Sequence, residues 1–223
     1  LAGINARTFG LADGADMRAT DIVERQDGVD FRANGVSVTL QVPGKHNVSN
    51  ALAALAAAEA AGLPLTDAAA ALAGFAGLRR RMDVVGSANG VTVIDDFGHN
   101  PDKIGATLDT LHAFPGRLLL MFQPHGYGPL RQMGDELIST LIAKMADDDV
   151  LVMPDPAYFG GTVNRSVGTE HIIDGIRMGG RNAQHIADRA HCGDALVEMA
   201  QAGDRIIIMG ARDDTLTQFA TDI

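Results

Sequence analysis

Among 223 residues there is one cysteine, no tryptophan, and only 4% aromatic side chains. The single thiol, Cys192, excludes an internal disulfide and fits a reducing compartment. Positive charge is scarce as well. Lys and Arg number 18 against 28 Asp and Glu, giving a net charge of −10 and a pI near 5.0. Binding a phosphate backbone needs concentrated Lys and Arg, so no nucleic-acid partner is expected, although a local cluster can still hold a nucleotide. No charged-then-apolar leader opens the chain, and no apolar run reaches the ~20 residues of a membrane span. A cytoplasmic protein without membrane contact is expected. Also missing are a G-x-x-x-x-G-K-[ST] loop, a G-x-G-x-x-G after a strand, a Cys/His cluster at metal-site spacing, and a serine or cysteine nucleophile motif. No metal ligand is expected here. The chain opens on Leu1, in what reads as the middle of a strand-and-turn region, so a fragment lacking its natural N-terminus is expected.

What is present starts from 46% hydrophobic and 21% charged residues, ordinary globular material sufficient for one large domain or two small ones. Residues 1–42 read as β structure. ARTFG gives a short strand and MRATDIVERQ a second; VDFRA and VSVTLQV then form a hairpin through Asn34-Gly35, where both residues tolerate positive φ. VPGKHNVSNALAALAAAEAAGL, residues 42–63, reads as a strand end, a Pro43-Gly44 turn and a long helix. A second alanine-rich helix follows Pro64, with Thr66 as its expected cap and Gly74 and Gly77 closing it. A domain boundary is expected near residue 81.

From residue 82 apolar strands at MDVVG, GVTVID, RLLLMFQ, DVLVMP, NAQHI and RIIIMG alternate with helices. The helices read at PDKIGATLDTLHAF, LRQMGDELISTLIAKM, GTEHIIDGIRMGG, RAHCGDALVEMAQAG and DTLTQFATDI. This alternation predicts an α/β fold with a mostly parallel sheet covered on both faces. Ligands in such sheets sit beyond the carboxyl ends of the strands, which selects the residues following VTVI, LLLMF, VLVM and IIIM.

Four places carry residues with chemistry. Asn47 and Asn50 lie three apart at a helix start, where one is accounted for as an N-cap and two exceed what capping needs. An amide offers a donor beside an acceptor, the pattern an adenine edge requires. Arg79-Arg80-Arg81 is the densest positive charge in the chain; it reads either as a solvated basic turn or as a phosphate-binding fork. Asp95 and Asp96 end a strand, so their carboxylates should point to opposite faces, one capping the next helix and one facing the cleft. The stretches FQPHGYGPLRQ and GARDDTLTQF follow further strands. In the latter, Thr215 is expected to cap the last helix, and Arg212 is either a ligand to a carboxylate or a surface arginine beside Asp213 and Asp214.

Three segments in order, GKHNVSNALAALAAA, GLRRRMDVVG and VIDDFGHNPDKI, resemble segments of the Mur ligase family, ATP-dependent amide ligases of peptidoglycan synthesis, the first its G-x-H-N-x-x-N-A-L-A-A, the second its G-x-x-x-R and the third its H-x/N-P segment. DMRATDI is similar to a segment late in that family's central domain. The resemblance implies that residues 1–81 are the end of an ATP-binding central domain and 82–223 a Rossmann-like C-terminal domain. It implies that His46, Asn47 and Asn50 contact ATP, that Arg81 faces phosphate with Arg80 next in line and Arg79 on the surface, and that Asp96 meets the ribose. Arg81 and Asp96 are the implied catalytic pair. His99 and Asn100 match the loop lining the acceptor site.

FQPHGYGPLRQ is similar to the F-Q-P-H-R-Y-x-R-x-R segment of the alanine-adding branch, which implies that His125, Tyr127 and Arg131 touch substrate. Gly126 and Pro129 stand where that pattern has arginines. Arg212 and Thr215 fall where the family places the incoming amino acid. The implied partners are ATP, a UDP-sugar carboxylate and an amino acid. Magnesium is implied too, its ligands and the P-loop lying upstream, so these residues alone are expected to be inactive. The implied reaction forms an acyl phosphate, which an amine then attacks. The alternatives are a folylpolyglutamate-type ligase with a non-murein acceptor and a non-catalytic nucleotide-binding module.

Overall fold

A computed structural model describes residues 6–157, 160, 162 and 164–223. The chain divides into two compact units, 1–77 and 78–223, each with its own core.

In the first unit a four-stranded sheet runs in the order β1 (Phe9–Gly10), β2 (Met17–Arg25), β3 (Gly28–Ala33), β4 (Val36–Leu40). Asn34 and Gly35 take φ of 45° and 84°, as the expected two-residue hairpin requires. The first expected strand is cut to two residues, because the Asp16 carboxylate rather than a neighbouring strand takes the Thr8 N–H, at 2.7 Å. Two helices, α1 (Lys45–Ala60) and α2 (Leu65–Leu72), accompany the sheet. Val48, Leu52 and Leu55 of α1 join Met17, Val29, Phe31, Val38 and Leu40 in one buried core. The alanines between them keep the helix surface shallow enough to lie close to the sheet.

Two expected caps differ from what is seen. Asn47 and Asn50 fall inside α1, whose cap position is Gly44 with no side-chain bond. Thr66 lies inside α2 behind Pro64, its hydroxyl turned to Asp67. That helix stops at Leu72, before either expected glycine. In both cases the turn ahead of the helix already sets the entering backbone, so no side-chain oxygen is needed at the cap.

The second unit is a six-stranded sheet ordered β5-β6-β10-β7-β8-β9. Its strands are β5 (Asp83–Ala88), β6 (Val91–Asp96), β7 (Leu118–Gln123), β8 (Val150–Met153), β9 (Asn182–His185) and β10 (Arg205–Gly210). All neighbours are parallel except β5, which runs antiparallel to β6 with Asp83 opposite Asp95. The helices are α3 (Pro101–His112), α4 (Tyr127–Lys144), α5 (Thr169–Met178), α6 (Arg189–Met199) and α7 (Thr215–Asp222). Strand alternation assigns the layers. Leu118, Leu120, Phe122, Ile207 and Met209 pack with α3, α4 and α5, whereas Leu119, Met121, Ile206 and Ile208 pack with α6 and α7. Both faces are buried, which is why LLLMF and IIIM read as unbroken apolar runs. Among the described residues no helix is long and apolar enough to cross a membrane.

Candidate functional site

The chemistry-bearing residues of the second unit gather at the carboxyl ends of β6, β7 and β10. Asp95 and Asp96 point to opposite faces as expected. Asp95, fully buried, accepts from the Thr217 hydroxyl of α7 at 2.8 Å and lies 3.4 Å from the Arg80 guanidinium. Burial pushes its carboxyl above the ordinary value, against the opposing pull of Thr217 and Arg80. Asp96, on the α3 side, accepts three bonds: Met82 N at 3.1 Å, Gly98 N at 3.0 Å and Thr107 Oγ1 at 2.8 Å. Neither aspartate caps the next helix. That position belongs to Asn100, whose Oδ1 accepts from Lys103 N at 2.9 Å ahead of Pro101. Asp96 is turned instead to Met82 N, Gly98 N and the Thr107 hydroxyl.

Rings and guanidinium groups form a continuous array on this rim. The guanidinium carbons of Arg80 and Arg81 lie 5.0 and 5.3 Å from the centre of the Phe97 ring. Phe97 meets His99 edge-on at 5.3 Å, and His99 meets His125 at 5.7 Å. The His99 Nδ1 donates to the Phe97 carbonyl at 2.9 Å, leaving Nε2 as an acceptor in the neutral ring. Nδ1 of His125 is buried with no hydrogen-bond partner. Burial lowers the His125 pKa, and the charges of His99 and Arg212 lower it further. Arg212 is exposed, at a φ of 61°, and forms no ion pair among the described residues. Its neighbours are engaged elsewhere: Asp213 binds Arg189 at 2.7 Å, and Asp214 faces Arg80 at 3.8 Å.

Other expected site residues are placed apart from this array. The helix bearing the FQPHGYGPLRQ segment begins at Tyr127, three residues earlier than the sequence reading, which puts Tyr127 and Arg131 one turn apart on one helix. Both meet the same passing segment: Arg131 donates to the Asn164 carbonyl at 3.3 Å, and the Arg165 guanidinium stands 5.8 Å from the Tyr127 ring. Thr215 is not a cap but the first residue of α7, its N–H and hydroxyl both bonded to Asp213 and its oxygen accepting from Arg189. Asp213, two residues ahead of the helix, does the capping work that Thr215 was expected to do.

In the first unit, Asn50 donates its amide to Asn47 Oδ1 at 3.1 Å, and Asn47 donates to the Pro43 carbonyl at 2.7 Å. Asn47 is half-buried and held at both ends; Asn50 is exposed with its own oxygen outward. His46 is an exposed residue of the same first turn.

Sequence reasoning missed the burial of Arg80 and the ring of Phe97, and neither carries a local signal. It also missed a group formed by Asp155, Glu170 and His185, whose members are too far apart in sequence to suggest a cluster. There His185 Nε2 sits 2.7 Å from Asp155 and Nδ1 3.7 Å from Glu170, so each ring nitrogen faces its own carboxylate, as in an ion pair. Cys192 is buried on the α6 face, its thiol pushed up to about 12, so it supplies no thiolate near neutral pH.

The second unit is thus a mostly parallel α/β domain whose carboxyl rim carries guanidinium and imidazole groups. Residues 80–212 match the family model described as Mur ligase, glutamate ligase domain, and residues 1–58 that of the Mur ligase middle domain. The chain belongs to the Mur ligase family. It is 38% identical over 216 residues to the UDP-N-acetylmuramate–L-alanine ligase of Sorangium cellulosum, covering 92% of this chain and 45% of that one. To the enzyme of the same name from Geobacter sulfurreducens it is 36% identical, covering 92% and 45%. A solved UDP-N-acetylmuramate–alanine ligase from Thermotoga maritima shares the fold, with a TM-score of 0.73 at 24% identity over 97% of this chain and 46% of that one. The chain therefore spans about half the length of the curated relatives it matches.

Proposed function

We propose that this chain is the nucleotide- and amino-acid-handling part of an ATP-dependent ligase that joins an amino acid to a UDP-muramyl carboxylate in the cytoplasm. The observation that carries this reading is the array Arg81, Phe97, His99, His125 and Arg212 on one sheet rim, in a chain whose relatives bear the name of alanine-adding ligases. ATP, with magnesium, would supply the phosphoryl group that turns the carboxylate into an acyl phosphate, which an amine converts to an amide with loss of phosphate.

Each residue has a role that its geometry permits. In the first unit Asn47 is immobilised between Pro43 and Asn50, so Asn50 presents an acceptor beside a remaining donor, as an adenine edge requires, with His46 alongside. In the second, the exposed Arg81 offers a fork to phosphate oxygens. Asp96 has one lone-pair direction left for a ribose hydroxyl after its three internal bonds. Arg212, unpaired with its neighbouring aspartates, meets the carboxylate of the incoming amino acid, and the unpartnered His125 Nδ1 lies on the same rim. Asn100, Tyr127, Arg131 and Thr215 act at one remove, by holding the loop, the 164–165 segment and the last helix in place.

The domain assignment follows from the same reading: the first unit as the end of an ATP-binding central domain, the second as the Rossmann-like C-terminal domain. Gly126 and Pro129, in place of arginines, favour a second reading in which the acceptor is not a muramyl one, its activated carboxylate being held by other residues. The test is ADP release by a ligase of full family length containing this chain, with UDP-N-acetylmuramate, L-alanine and ATP, against a folyl-type acceptor. Arg212→Ala should raise the amino-acid KM by about tenfold, the loss of one charge-assisted contact. An unchanged KM removes Arg212 from the site.

A further inference from the structure

The side chain that joins the most parts of this rim is Arg80, which the family resemblance ranked behind Arg81. Its residue is only 9% exposed, and it is reached by a backbone turned to φ 60°, a region that L residues seldom occupy. Nη2 donates to the Gly210 carbonyl at 2.9 Å, across 130 positions of sequence. Nε lies 3.4 Å from Asp95 and Nη1 3.8 Å from Asp214, while the plane of the group stands over Phe97. The backbone is fixed as well: Arg80 N donates to Asp83, and its carbonyl accepts from Phe97 N at 2.7 Å.

Gly210 ends β10 and opens the turn that carries Arg212, and Arg81 is the residue following Arg80. We propose that Arg80 is a positioning residue: its guanidinium ties the Arg212 turn to the Arg81 segment, fixing the spacing between a carboxylate-binding and a phosphate-binding arginine. The plainer account is a buried ion pair that only stabilises the unit. Two observations weigh against it. The charged contacts to Asp95 and Asp214 are longer than hydrogen bonds, with Nε, Nη1 and Asp95 Oδ1 all lacking a partner, whereas the bond to the Gly210 carbonyl is well made. Buried ion pairs are also commonly replaceable by apolar groups without loss of stability, so one kept with loose charge geometry is poorly explained by stability alone.

This inference rests on the proposed ligase activity, and its test separates the two. In a ligase of full family length containing this chain, Arg80→Lys keeps the charge opposite Asp95 but lacks the planar fork that reaches two acceptors in fixed directions. Amino-acid KM should rise and kcat/KM should fall by on the order of tenfold to a hundredfold, with the unfolding temperature little changed. Because Arg80→Met alone strands a buried aspartate, the companion variant is the double replacement Arg80→Met with Asp95→Leu. It removes both charges and also the tie to Gly210. A positioning role predicts that the double variant recovers thermal stability yet keeps the raised KM. If the double variant, or Arg80→Lys, shows the parental KM, the positioning role is overturned. Absence of ligation by the parent protein on any muramyl acceptor would instead overturn the functional reading beneath it.

Discussion

Asp96 and His125 show how much of this rim is decided at single atoms. Asp96 gathers Met82 N, Gly98 N and the Thr107 hydroxyl on one buried carboxylate, joining the segment ahead of β5, the loop after β6 and helix α3. Asp96→Asn turns an NH2 toward one of those donors, leaving buried groups unpaired. Chemical denaturation should report a loss of about 1–3 kcal/mol. His125 sets a pH dependence whose sign follows from its depressed pKa. Below its ordinary value of 6.5 the unfolded chain binds a proton that the folded chain resists, so folding stability falls as the pH drops from 6.5 toward the folded value and is level above it. Urea midpoints across that range should slope in the parent and flatten in His125→Phe; equal slopes would place the titration elsewhere. Residue roles were legible where they depend on neighbours in sequence, as with the opposed faces of Asp95 and Asp96. They were not legible for Arg80, because its burial is made by a carbonyl 130 positions away.

At the level of elements, all six strands of the second unit lie where apolar runs place them, and each helix falls within four residues of its reading, the largest gap being the end of α6 at Met199. The misses concern helix starts and the ends of α2 and α6. Asn100 and Asp213 hold the first turns of α3 and α7, while Thr66 and Thr215, the better-looking candidates, sit inside their helices. Capping depends on the backbone angles entering the helix, which a residue type suggests but does not fix. The start of α4 is set by Gly126, at φ 141° and ψ 162°, a conformation closed to side-chain-bearing residues. The departure from the family's arginine at this position is thus built into the path of the main chain. Gly126→Ala should destabilise by about 1–2 kcal/mol by calorimetry, although a methyl group there would meet only ordinary contacts with Pro129 and Ala157, and Gly126→Arg should not restore an arginine site without moving the loop.

Taken whole, the chain has separate apolar cores in its two units, Met17 to Leu55 in one and the two faces of the large sheet in the other. Residues 78–223 expressed alone should therefore unfold in a single cooperative transition by circular dichroism; a broad, non-cooperative melt would show that this core depends on the first 77 residues. The α/β class was readable from the alternation of apolar strands and helices. The single reversed strand was not, since MDVVG carries no mark of its direction. That reversal has a geometric outcome. Had β5 run with its neighbours, its six residues at ~3.4 Å each would have left the three arginines about 20 Å away, at the amino-terminal edge of the sheet. Entering the sheet backwards delivers them instead beside the ends of β6 and β10, so the orientation of one edge strand decides at which edge of this domain its guanidinium groups meet Phe97 and the Gly210 turn.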